Sequence, residues 1–577
     1  MKRFLLGILC GILLTGLFGF ILIFALIRLG ERKPVIADDS VLVLRLAGDI
    51  PERAPVEIPL PYFDEPGPST MLETWQALNR AANDPKIKAV VLEPRGIATG
   101  WGKIQELRGA IDKFRRSGKP VYAFLFAPRT GDYYLATAAD KIFLESGDML
   151  NVKGLRIEEM FYKNTLDKLG VQIQIEHAGK YKDYGDNYSR TSMTPETKEV
   201  LNSFLDEWFG DLETVIAQGR RRTPEEIGKM IDEGPFLASR ARDLGLVDTL
   251  GYEDELYGEL KTKLKISSIK KVAMRDYVRA APASKEKDRI ALLVADGGIS
   301  GANNPDPTDE ITAPSMIKLM KQIENDSSIK GVIFRVNSPG GDAIASDEIL
   351  HQAKILSKKK PMVISMSDYA ASGGYMISVT GDPIIAYQGT VTGSIGVVFG
   401  KVNLRGLYDK IGIQTETLKR GRFADIDSES HPLDPSEEAK LREGIEATYK
   451  SFVESVAEGR KRKYDEIEPL SQGRAWTGEQ AIKRGLVDET GGFQAAIDAI
   501  KKRAHIGDKT RVAIVPFPER RTIFEMLSSR NEDNSPGDAE LRVIMRQLIP
   551  DASTRSWTRA LLGGGMLRVM PYTIRFR

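Results

Sequence analysis

Ser372 stands before two glycines and among small residues in YAASGGYMIS (369–378), the texture of a tight turn that could present a hydroxyl. A second glycine-rich stretch, NSPGGD (337–342), adds Gly340 and Gly341 to Gly373 as candidate backbone donors. Glycines admit positive φ and close approach, so N–H groups in such segments can converge on an oxyanion. A serine hydroxyl also needs a base. The four histidines, His177, His351, His431 and His505, repeat no familiar Ser-His-Asp order. Lysine can act as the base only when neutral, and desolvation lowers its reference pKa of about 10.4 by up to about 3 to 5 units.

An internal repeat says where to look for that lysine. NDPKIKAVV at Asn83 and NDSSIKGVI at Asn325 stand 242 apart (325 minus 83), as do YYLATAADKI at Tyr133 and YMISVTGDPI at Tyr375. GLVDTLGYEDEL at Gly245 and GLVDETGGFQAA at Gly485 stand 240 apart. The copies differ where chemistry is expected. Ser372 maps to Thr130, NSPGGD to RGIATG, and TGSIG (392–396) to LNVKG (150–154). The first copy instead carries GKYKD (179–183), whose Lys182 maps to Ala424. One copy has the serine and the glycines, the other the lysine, which predicts a single site split between them.

Each copy reads as an α/β unit. KGVIFRV (330–336) and PMVISMS (361–367) are short runs rich in apolar and β-branched residues, and SDEILHQAKILSKK (346–359) has apolar residues at helical spacing. Strands alternating with helices imply crossovers and a largely parallel sheet. Ahead of both copies, residues 4–27 are 24 residues without a charge, long enough for a bilayer span. Lys2 and Arg3 oppose Arg28, Arg32 and Lys33, so loop charge does not orient it. The expected organisation is an anchor (1–37), a first repeat (38–270), a linker (271–288), a second repeat (289–505) and a C-terminal extension (506–577).

A formal net charge of +2 gives no general case for nucleic acid. The one cysteine, Cys10, excludes an internal disulfide and a cysteine metal cluster, and no metal or cofactor is expected.

RVNSPGGDAIASDE, SMSDYAASGGYMIS, GTVTGSIGVV and GKYKD together resemble the long form of the signal peptide peptidase A (protease IV) family, bacterial membrane serine proteases, over roughly residues 1–505. The resemblance implies an α/β fold of two tandem crotonase-like (ClpP-like) repeats behind one N-terminal transmembrane helix. It implies Ser372 as nucleophile, Lys182 as general base with Lys180 as the alternative, and Ser394 orienting the lysine. Backbone N–H groups of Gly340, Gly341 and Gly373 would form the oxyanion hole. It further implies peptide substrates, remnants of cleaved signal peptides, contact with membrane lipid, and a homo-oligomer, a tetramer in the family. The expected location is the bacterial inner membrane, single-pass, with the catalytic domains on the periplasmic or extracytoplasmic side. An acyl-CoA-processing crotonase-type enzyme and a non-catalytic membrane scaffold are the alternatives.

Overall fold

The computed structural model describes residue 11 and residues 34–54, 69–282, 286–300, 310–519 and 566–569. Residue 11 apart, the expected anchor run 4–27 lies outside the described residues, among which no helix is long and apolar enough to cross a membrane.

The first sheet has six strands: β1 (Ser40–Gly48), β2 (Ile87–Ile97), β3 (Val121–Leu125), β4 (Lys141–Leu144), β6 (Thr249–Leu250) and β7 (Lys270–Ala273). Its order is β6-β4-β3-β2-β1-β7, and every pairing is parallel. β5 (Gln172–Ala178) leaves this sheet. Helices α1 (Met71–Asn83), α2 (Trp101–Arg115), α3 (Pro195–Arg220) and α4 (Glu253–Leu264) accompany it. Near-continuous apolar runs such as Ala89–Leu92, wholly buried, are what a parallel strand covered on both faces requires.

The second copy contributes β8 (Arg289–Asp296), β9 (Gly298–Ser300), β10 (Glu310–Thr312), β11 (Ile329–Ser338), β12 (Gly340–Asp342) and β13 (Met362–Ala371). β14 (Ile384–Ala386), β15 (Val391–Gly393), β16 (Val397–Asn403), β17 (Ala475–Thr477), β18 (Glu489–Thr490) and β19 (Ala513–Phe517) complete it. Its main helices are α5 (Ala343–Lys359), α6 (Gly373–Met376), α7 (Pro435–Arg460) and α8 (Phe493–Arg503). The path β18-β14-β13-β11-β8-β19 repeats the first sheet strand for strand, and β15 and β17 extend the sheet beside β13. α3 and α7 start alike, with Pro195 and Pro435 at the first turn behind Thr194 and Asp434 as caps.

Both sheets reach beyond the expected boundaries. Lys270–Ala273 pairs with β1 and a helix follows at Met274–Arg279, so the segment expected as linker begins as structure of the first repeat. Ala513–Phe517 pairs with β8, and Met566–Val569, β20, pairs with β12 and β16, so the extension supplies two strands. These strands are completed by edges far away in sequence, which local composition does not reveal.

Buried polar groups join the repeats. α2 opens on Gly100 without a side-chain cap of its own. Asp368 of β13 supplies one, accepting from Gly100 N at 2.9 Å and Lys103 N at 2.8 Å. Arg335 of β11, fully buried, donates to Glu52 at 2.8 Å and Glu106 at 2.6 Å, and to Ser365 and Ser367 at 3.0 and 3.1 Å. Burial raises the Glu52 carboxyl, but the charges of Arg335 and Lys103 outweigh it and hold the group below its usual range. For Arg335→Leu we expect a loss of about 3 to 5 kcal/mol in denaturant unfolding, because two buried carboxylates lose their counter-charge. Adding Glu52→Gln and Glu106→Gln recovers part of that loss.

Candidate active site

Ser372 closes β13 and opens the four-residue helix α6 with φ 54° and ψ −117°, a conformation that costs a non-glycine residue energy. Two contacts impose it. The Ser372 N–H donates to Gly393 O at 2.7 Å. Gly374 lies so close to Ser338 O that a Cβ there would stand 2.4 Å from it. The Ser372 side chain is fully buried.

Lys182 arrives from the other repeat on a third sheet that crosses between the copies, β10-β9-β12-β20-β16-β5. β5 pairs antiparallel with β16, Ala178 opposite Val397, which brings the turn after β5 beside the residues that precede β16. Lys182 Nζ lies 2.8 Å from Ser372 Oγ, 2.9 Å from Ser394 O and 3.0 Å from Ser394 Oγ, and all three residues are fully buried. The contact forms within one chain, so no second copy is needed to bring serine and lysine together. Lys180 places its ammonium 4.8 Å from the Tyr181 ring centroid and makes no such contact.

Residues 472–474, which no motif or repeat mismatch singled out, hold the lysine turn in place. Tyr181 N donates to Gln472 O at 2.9 Å, and Ser394 N to Arg474 O at 2.8 Å. Gly473, at φ 76°, packs against Lys182 so closely that a Cβ would lie 2.5 Å from the lysine Cβ. The Arg474 guanidinium sits 4.7 Å from the Tyr181 ring centroid and 4.4 Å from that of Trp476, over the same turn.

The glycines divide. Gly340 turns at φ 103° and gives its N–H to Ser338 Oγ at 3.2 Å, so that donor is spent inside its own turn. Gly341 must be glycine because a Cβ would meet Ile299 O at 2.0 Å. Gly341 and Gly373 therefore stay as candidate anion donors, and Gly340 is set aside. Along Gly340–Asp342 lies β20, antiparallel, with Gly341 opposite Arg568. On its other side Gly341 pairs with Ile299 of β9.

In the first copy the corresponding turn is filled. Asp132, which stands where the second copy has Gly374, accepts from Gly96 N at 3.1 Å, Ile97 N at 2.9 Å and Arg129 N at 2.8 Å. At the offset of 242 these three donors correspond to Ser338, Pro339 and Ala371, and not to Gly341 and Gly373. Among the described residues, Asp425, His431 and Glu437 bring ligand-type atoms within 4.8 Å of one another. Both His431 ring nitrogens face carbonyl oxygens, Pro432 O at 2.8 Å and Asp425 O at 3.0 Å, so the trio makes no case for a metal.

Behind the lysine, burial and then Asp183 and Asp186 push the half-buried Glu159 carboxyl up to about 7 from 4.5. The folded state therefore binds the extra proton between those values, and stability falls as pH rises through that window. Glu159→Gln removes this dependence: its melting temperature matches the wild type near pH 4.5 and exceeds it at pH 8. Equal melting temperatures at pH 8 would contradict the assignment.

The model of peptidase family S49 matches residues 113–267 and 354–507, more than half of the chain and once in each repeat. The chain is 33% identical to the chloroplastic serine protease SPPA of Arabidopsis thaliana over 77% of its own length and 67% of that protein. It is 30% identical to Protease 4 of Haemophilus influenzae, over 76% of this chain and 73% of that one. With Protease 4 of Salmonella typhi it shares 31% identity over 80% and 75%. Among solved structures, a ClpP1 mutant from Listeria monocytogenes aligns with 15% identity over 36% of this chain and 94% of its own, at a TM-score of 0.24, too low to carry an argument. From the doubled family match and the extent of these likenesses, the chain belongs to peptidase family S49, the signal peptide peptidase A family of serine proteases.

Proposed function

We propose that Ser372 is the nucleophile and Lys182 the general base of a membrane-anchored endopeptidase. The observation that carries this reading is the 2.8 Å contact between Lys182 Nζ and Ser372 Oγ in a fully buried setting. Desolvation disfavours the ammonium form of a buried lysine. A neutral amine has two N–H donors and one lone pair. The donors suit Ser394 O and Ser394 Oγ, which leaves the lone pair for the Ser372 proton.

The steps follow from that arrangement. Lys182 Nζ takes the hydroxyl proton as Ser372 Oγ forms a bond to the peptide carbonyl carbon, and the resulting oxyanion accepts from the N–H groups of Gly341 and Gly373. The lysine then gives its proton to the leaving amine as the C–N bond breaks. Water, deprotonated by the same lysine, releases the acyl group. An extended substrate takes the place that β20 holds along Gly340–Asp342.

The substrates proposed are remnants of cleaved signal peptides, apolar segments within reach of an enzyme held in the bacterial inner membrane by residues 4–27, with its catalytic domains on the periplasmic side. The working form is a homo-oligomer, a tetramer by resemblance. An acyl-CoA enzyme would have no use for a lysine seated on the serine.

The test is labelling of detergent-solubilised full-length protein by a serine-directed acylating probe, with peptide mapping, alongside turnover of an apolar fluorogenic peptide. We expect label on Ser372 in the wild type and none in Ser372→Ala. Lys182→Ala should lower kcat/KM by about 10² to 10⁴-fold. An unlabelled Ser372 in folded wild type, or a fully active Lys182→Ala, would refute the dyad. Gly473→Ala, which forces a methyl group onto Lys182, should cut turnover by about 100-fold in a protein that still folds.

A further inference from the structure

One helix holds the lysine turn on both sides of Lys182. α3 starts at Pro195, and two residues near its start reach back to that turn. Thr197 donates its hydroxyl to Asp183, and Glu199 accepts from the Tyr181 hydroxyl at 3.1 Å. The same Glu199 carboxylate pairs with the Arg474 guanidinium of the second repeat. Arg474 belongs to the segment that covers the lysine: its neighbour Gly473 packs on Lys182 and donates its N–H to Ile395 O at 2.8 Å. The buried Nε of Arg474 has no hydrogen-bond partner among the described residues. Its guanidinium therefore rests on Glu199 and on the Tyr181 and Trp476 rings.

The pair is divided between the copies as serine and lysine are, a mismatch that only the bridge makes legible among the many between two diverged repeats. α3 and α7 run in register at 240, Thr194 against Asp434, which puts Ala439 where the first copy has Glu199 (439 minus 199). The same offset, set by GLVD at 245 and 485, puts Gly234 where the second copy has Arg474 (474 minus 234). The carboxylate stands in the copy that carries Lys182, and the guanidinium in the copy that covers it. Other charges surround the bridge. Lys180 lies on the Glu199 side, and Arg484 sits 3.9 Å from the Trp476 ring centroid. Glu207 of α3, which accepts from the Thr477 hydroxyl at 2.6 Å, faces Arg484.

We infer that Glu199 and Arg474 are positioning residues for the dyad: their bridge latches residues 472–474 over the lysine turn, so that Lys182 stays shut off from water and seated on Ser372. Neither residue touches the reacting atoms. With the latch open, water reaches the amine, desolvation no longer disfavours the ammonium form, and less of the lysine is neutral at a given pH. The inference rests on the reading of Lys182 as the base and names what keeps it one.

Glu199 is exposed, so Glu199→Gln removes the charge without disturbing the core. The measurement is the pH profile of kcat/KM for an apolar fluorogenic peptide, on full-length protein in detergent. For Glu199→Gln the acid limb is expected to move up by about one unit, toward the free-lysine value of about 10.4. The loss is then about 10-fold below that limb and shrinks as pH rises through it. Arg474→Gln is expected to shift the limb in the same direction, and the double variant to lose no more than the more damaging single one. A loss equal at every pH, additive losses, or a Glu199→Gln enzyme indistinguishable from wild type overturns the latch. The dyad still stands in those cases if Ser372 labels and Lys182→Ala is inactive. A fully active Lys182→Ala overturns the dyad and the latch together.

Discussion

The hold of Asp368 on α2 is the constraint from which the site follows. The carboxylate sits on β13, four residues before Ser372, and closes the N-terminus of a helix from the other repeat. A helix start without its own cap leaves donors that a buried anion can satisfy, and the positive end of the helix favours that anion. Arg335 on the neighbouring strand adds a buried cation between Glu52 and Glu106 of the first repeat. Charges so deeply buried tolerate little displacement, because each draws charged or hydrogen-bonding partners from the opposite repeat. The strand that leads to Ser372 is thereby fixed relative to the repeat that bears Lys182.

With the repeats locked, the third sheet sets the finer geometry. β5 and β16 come from different copies, and their antiparallel register sets the lysine turn beside Ser394. Gly473 then removes the remaining space around Lys182. At the corresponding place in the second copy Ala424 is exposed. Complete burial of the lysine is a property of its covering from the second repeat, and a turn of the same origin without such a cover stays in water.

Duplication also accounts for how the two turns diverged. The second copy keeps glycines around a strained serine. The first copy has Asp132 in place of Gly374, and its carboxylate accepts from the N–H groups of Gly96, Ile97 and Arg129 within the same repeat. Thr130 for Ser372, RGIATG for NSPGGD and Asp132 for Gly374 are the three differences that set the first copy's turn apart.

Much of this was legible in the residues. Because the offset stays near 242, mismatches such as Ser372 against Thr130 and Lys182 against Ala424 stood out without any structure. Apolar runs and capped helices marked an α/β unit, because helix and strand periods are local properties of the chain. Other features were not legible. Gly340 resembled its neighbour Gly341, and only the turn showed its N–H committed to Ser338. Strands at 270–273, 513–517 and 566–569 lay beyond the expected boundaries, since each is stabilised by an edge remote in sequence. Gly473 and Arg474 carried no signal, since their part is played through space against Tyr181 and Lys182. The sequence by itself determined which groups could react and that they were split between two copies, because residue type and repeat register are one-dimensional facts. Only the tertiary structure decided that serine and lysine meet within one chain, buried and at hydrogen-bond distance, because desolvation and contact depend on what the folded chain packs around them.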